Sequence, residues 1–74
     1  MQSSQTQTIE IVVNGEKTTV PDGLTVASLL RTLNVDPERV AVELNRSIVR
    51  RPEWQHARIE PGAQLEIVQF VGGG

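Results

Sequence analysis

The plainest reactive chemistry in this sequence lies at its C-terminal end, Gly72-Gly73-Gly74, with a carboxylate on Gly74. Glycine has no Cβ, so three in a row can thread a channel too narrow for side chains. The terminal carbonyl is open to attack from either face. Fully extended, Val71 to Gly74 would span roughly 13 Å. Two readings compete. In one, the end is a frayed terminus or a leftover linker. In the other, the Gly74 carboxylate is the reacting group and Val71, Gly72 and Gly73 are the segment that enters a partner's channel. A carboxylate is a poor electrophile because its leaving group is oxide. Adenylation supplies a better one, and the ATP and metal chemistry then belongs to the partner that performs it.

The other chemistry-bearing residues are few. The chain has one histidine, His56, and neither cysteine nor tyrosine. That excludes a disulfide, a thiolate metal site and a cysteine nucleophile. It leaves no constellation for a self-contained active site, so we expect no enzyme, no resident metal and no stably bound cofactor. Arg46, Arg50, Arg51 and Arg58 cluster in sequence, either as a solvated rim or as a docking surface for an acidic partner. The net charge of −2 gives no basic footprint for nucleic acid. No run approaches the roughly 18 apolar residues of a membrane span. The start has neither the basic nor the apolar region of a signal peptide, so a cytoplasmic protein, monomeric when free, is the expectation.

The elements that must position the C-terminal end follow from pattern. Residues 1–7 are polar and without apolar periodicity, and read as a disordered leader. Thr8 to Val13 alternates as a strand with Ile9, Ile11 and Val13 on one face. Asn14-Gly15 predicts a tight hairpin turn, and Lys17 to Val20 returns as a second strand. Pro21-Asp22-Gly23 ends it. Thr25 to Asn34 is the helix, with Val26, Leu29, Leu30 and Leu33 as its apolar stripe. Thr25 suits the N-cap, and Asn34 suits the left-handed residue after the last turn. Val40 to Leu44 is a third strand, with Ile48 and Val49 a short fourth. Pro52 to His56 reads as a helical turn with Trp54 as a core plug, its indole N–H bound locally. Ile59 stands isolated. Leu65 to Val71 is the last strand, after a Pro61-Gly62 turn.

This order predicts one α+β domain over residues 8–71. A mixed four- to five-stranded sheet carries one main helix on one face, with a mobile tail over residues 72–74. The last strand belongs centrally, between the first and third strands, which is the β-grasp or ubiquitin-like arrangement. The opposite sheet face would then carry Val12, Ala41, Val68 and Phe70. A contiguous apolar patch on a monomer marks an interaction site, so these four are the expected partner-docking face.

The residues that resemble a known family are Ile11-Val12-Val13-Asn14-Gly15, Thr25-Val26-Ala27-Ser28-Leu29-Leu30 and Val42-Glu43-Leu44-Asn45-Arg46-Ser47-Ile48-Val49. Arg51, Trp54, Leu65-Glu66-Ile67-Val68 and the ending Phe70-Val71-Gly72-Gly73-Gly74 complete the set. Together they resemble the ThiS family, sulfur carriers of thiamine thiazole biosynthesis, over residues 8–74. The family often shows Pro-Arg where this chain has Arg50-Arg51, and Gly-Asp where it has Gly62-Ala63. The resemblance implies a carrier rather than an enzyme. An E1-like adenylating partner (ThiF-like) would activate the Gly74 carboxylate with MgATP. Sulfur from a persulfide donor such as a cysteine desulfurase would convert it to a thiocarboxylate. Thiazole synthase (ThiG-like) would accept that sulfur. The alternatives are a molybdopterin-synthase small-subunit-type carrier, a ubiquitin-like modifier, and a β-grasp interaction module with an incidental tail.

Overall fold

A computed structural model of the protein describes residues 7–71. The elements run β1 (Thr8–Val13), β2 (Glu16–Pro21), α1 (Val26–Thr32), β3 (Val40–Leu44), β4 (Ser47–Val49) and β5 (Gln64–Gln69). Short 3-10 turns cover Pro37–Arg39 and Arg51–Glu53. The five strands form one sheet in the order β2-β1-β5-β3-β4. β5 lies centrally as expected, parallel to β1 and antiparallel to β3. The expected leader, apart from Gln7, and the Gly72-Gly73-Gly74 tail lie outside the described residues. The Gln7 carbonyl accepts from Asp22 N–H at 2.8 Å.

Alternation in the strands and the helix stripe meet in one core. Ile11, Val20, Val40, Val42 and Leu65 from the sheet pack against Val26, Leu29 and Leu30 of α1, and all are buried. Turn chemistry sets the register. Asn14 (φ 51°) and Gly15 (φ 83°) take the two positive-φ positions of the β1–β2 hairpin, the backbone that a type I′ turn requires.

The helix is closed at both ends by the chain itself. At its start the Thr25 Oγ1 accepts from Ser28 N–H at 3.3 Å, and the Ser28 Oγ accepts from Thr25 N–H at 2.9 Å. This is a capping box with Ser in the role usually taken by Glu or Gln. Val26 N–H donates to the Ala57 carbonyl and Ala27 N–H to the Trp54 carbonyl, at 2.9 and 3.0 Å. The first free donors of the helix are therefore spent within the fold and offer no anion site. At the far end Asn34 has φ 61°. Val35 N–H reaches back to the Leu30 carbonyl and Asn34 N–H to that of Arg31, both at 3.0 Å. These are the two bonds of a Schellman ending.

The connection from β4 to β5 explains two core residues. Trp54 is 6% exposed, and its Nε1–H donates to the Val49 carbonyl at 2.8 Å. Ile59, isolated in the sequence, is buried; its N–H donates to the Leu24 carbonyl at 2.9 Å. That bond, with the bridge between Thr25 and Arg58, draws the connection under the start of α1. Among the described residues no helix is long and apolar enough to cross a membrane.

Candidate functional site: the end of the central strand

β5 is the last strand before the glycines in the sequence, so its surroundings are the described part of the candidate site. Along its β3 edge the strand is paired from Leu65 opposite Leu44 to Gln69 opposite Val40. The pairing outlasts the strand, since Phe70 N–H still donates to the Arg39 carbonyl at 2.7 Å. The expected strand to Val71 thus stops two residues earlier by backbone geometry, although Phe70 remains tied.

Along its β1 edge the strand is held differently. The paired register covers only Val12 opposite Gln64 and Val13 opposite Leu65. Asn14 N–H adds a bond to the Leu65 carbonyl at 2.8 Å, and there β1 turns away into its hairpin. The next rung is made by a side chain. Asn14 Oδ1 accepts from Ile67 N–H at 2.7 Å, and Asn14 Nδ2 donates to the Ile67 carbonyl at 3.2 Å. At the start of β5, Asn45 acts similarly: its Oδ1 accepts from Gln64 N–H at 3.0 Å.

The sheet face away from the helix carries the expected docking residues, but not all together. Ala41 stands directly opposite Val68. Phe70 follows two residues on, and Val68 and Phe70 are 56% and 55% exposed. Val12 is half-buried and sits beside Gln64 and Lys17, four residues along β5 from Val68. Register excludes it from the patch, because the parallel pairing of β1 begins at the opposite end of β5. Ile48 is the apolar residue that sequence reasoning left out of this face. It is 73% exposed and lies opposite Glu43, within diagonal reach of Ala41. The available signal was alternation, since Val49 points inward and its neighbour must point out. Glu43 in turn stands directly opposite Glu66, and both are exposed. The exposed face is thus Phe70, Val68, Ala41 and Ile48 around a pair of like charges.

The sequence cluster of arginines does not assemble. Arg51 turns to the connection: its Nη1 lies 3.4 Å from Glu38 Oε1, its Nη2 donates to the Pro37 carbonyl at 3.1 Å, and its guanidinium lies 5.5 Å from the Trp54 ring centroid. Arg46 sits in the β3–β4 turn, Arg50 at the other end of β4, and Arg58 beside Thr25. Among the described residues no group of His, Asp and Glu could hold a metal ion. His56 is exposed, its backbone N–H bound to the Glu53 carbonyl. An open groove of about 320 Å³ lies on the helix side of the sheet, beside Asn14, Leu33, Val35 and Gln69.

A five-stranded mixed sheet of this order, with one helix on one face and the central last strand leading to the C-terminal glycines, defines a β-grasp, ubiquitin-like domain. Its sequence matches the ThiS family model over residues 5–74, and the chain belongs to that family. A thiamine biosynthesis protein, ThiS, from Geobacter metallireducens is similar in structure. Its TM-score is 0.77 at 37% identity, over 89% of this chain and 100% of that one. The sulfur carrier protein ThiS of Escherichia coli is 29% identical over 66 residues, which cover 89% of this chain and all of that one. A thiazole synthase of Paramagnetospirillum magneticum is 41% identical over 66 residues, again 89% of this chain. The match spans only 20% of that synthase's length.

Proposed function

We propose that this chain carries sulfur for the thiazole of thiamine, with the Gly74 carboxylate as the carrying group. An E1-like enzyme binds the exposed Phe70, Val68 and Ala41 face and draws Val71, Gly72, Gly73 and Gly74 into its site. The carboxylate oxygen attacks the α-phosphorus of MgATP and pyrophosphate leaves. The terminal sulfur of a cysteine persulfide then attacks the acyl carbon and AMP leaves, giving an acyl disulfide. A thiol cleaves its S–S bond, is itself oxidised to a disulfide, and releases the thiocarboxylate. Thiazole synthase takes that sulfur. All metal and nucleotide chemistry is the partners'.

The observation that carries this reading is the course of β5. The central strand of a ThiS-family fold runs past exposed Val68 and Phe70 directly towards the glycines. The absence of cysteine agrees with a carrier whose sulfur rides on its terminus. The thiazole synthase with a segment similar to this chain supports that enzyme as the acceptor. The test is ATP-dependent pyrophosphate release by the E1-like enzyme, run with the intact chain and with a chain lacking Gly73 and Gly74. The reading requires release with the first and none with the second. Equal release from both refutes it.

A further inference from the structure

We propose that Asn14 is a positioning residue for the C-terminal segment: its side-chain amide holds the end of β5 where β1 no longer can. This deepens the carrier reading and rests on it. A primary amide carries the same donor and acceptor as a peptide group. Asn14 uses both on a single residue, Ile67, taking its N–H at 2.7 Å and giving to its carbonyl at 3.2 Å. A parallel neighbour strand would supply that rung through its backbone. Here the backbone of Asn14 is at φ 51° and turning into the hairpin, so the side chain replaces a strand that has ended. One residue thereby serves the turn and the adjacent ladder.

The placement matters because Ile67 is the last residue of β5 that we find bonded along this edge. Beyond it lie Val68 and Phe70, which form the exposed patch, and then the glycines. On the opposite edge β3 holds the strand as far as the Arg39 bond to Phe70. Asn14 and Arg39 thus grip the strand from its two sides shortly before the reacting segment. Without the Asn14 grip, bonding along the β1 edge ends at the Leu65 carbonyl, and everything from Ile67 to the end of the strand is held along β3 alone. A partner must then order it on binding, which weakens association. The chemistry at Gly74 is untouched once bound.

The test compares three variants as substrates of the E1-like adenylating enzyme with MgATP. Asn14→Gly keeps the positive-φ turn and removes both bonds of the grip; KM for the carrier should rise about five- to tenfold, about two- to threefold for each hydrogen bond lost, with kcat within about twofold. Asn14→Asp keeps the acceptor for Ile67 N–H and loses the donor, so its KM should fall between wild type and Asn14→Gly. Asn45→Gly removes the comparable bond to Gln64 at the far end of the same strand. It should lower the melting temperature yet leave KM at the wild-type value. Backbone ¹⁵N relaxation should show lower amide order from Val68 to Val71 in Asn14→Gly and unchanged order there in Asn45→Gly. Equal KM values for the Asn14 variants and wild type, or equal effects of Asn14→Gly and Asn45→Gly, overturn the proposal. If Asn14→Gly is unfolded at the assay temperature, Asn14→Asp decides by the same criterion. If wild type itself is not adenylated, the carrier reading fails, and the relaxation data alone decide whether Asn14 orders the strand end.

Discussion

Phe70→Ser tests whether the exposed face is a docking surface. Phe70 is 55% exposed and lies just past the last residue of β5. Its backbone bond to Arg39 does not depend on its side chain. An aromatic side chain buries on the order of 200 Å² when fully covered, so its exposed half offers a partner about 100 Å², or about 2.5 kcal/mol at roughly 25 cal/mol per Å². That is an upper bound, because association also costs side-chain ordering. It corresponds to a loss in affinity for the E1-like enzyme of at most about 60-fold. The part already buried against the fold is worth about 2 kcal/mol at most, a fall in melting temperature on the order of 10 °C for a domain of this size. Titration calorimetry at a temperature where the variant is folded separates the two effects. Val12→Thr is the control: it lies on the same face but four residues along β5 from Val68, and its affinity should stay within about twofold of wild type. Undiminished affinity in folded Phe70→Ser refutes the docking role. So does an equal loss in Val12→Thr, since the register keeps Val12 apart from the patch.

Other consequences can be measured directly. Trp54→Phe removes the side-chain donor to the Val49 carbonyl; thermal melting should show a loss of about 0.5–1.5 kcal/mol, the net worth of one hydrogen bond, and an unchanged melting temperature would contradict the assigned bond. Glu66→Gln removes one of two carboxylates standing directly opposite each other. It should raise stability by about 0.2–1 kcal/mol in low salt, with the gain shrinking as salt screens the pair; a loss of stability would show that the Glu43–Glu66 pair is not repulsive. Gly73→Val should abolish pyrophosphate release by the E1-like enzyme while leaving the melting temperature unchanged, because it places a branched side chain in the segment proposed to enter the enzyme; retained turnover would argue against a narrow channel.

Where a residue's neighbours in sequence decide its environment, the chain is legible. Alternation in β1 and β5 and the stripe Val26, Leu29, Leu30 give the core face directly. Thr25 and Asn34 mark the ends of the helix by chemistry that is local to them. Trp54 needed an acceptor nearby and found the Val49 carbonyl. Legibility stops where pairing between distant strands decides. Val12 alternates onto the outer face as expected, yet only the β1–β5 register shows that it lies far from Val68. Ile59 has no periodic partner in sequence and becomes core because the connection bonds back to Leu24. The four arginines are close in sequence and scattered in space, since β4 separates Arg46 from Arg50 while Trp54 and Glu38 engage Arg51. Asn14 is the most instructive case. Its Asn-Gly pair announces a turn, but its second role depends on Ile67, 53 residues away.

The central claim is that Gly74 carries sulfur, and intact mass spectrometry of the reacted chain tests it most directly. The protein is incubated with the E1-like adenylating enzyme, MgATP, a persulfide donor and a thiol, and then digested. The account predicts a gain equal to the replacement of one oxygen by sulfur, confined to the C-terminal peptide that contains Gly74. An unchanged mass in the presence of active partners would contradict it. So would a gain that maps to Met1, where oxidation adds nearly the same mass.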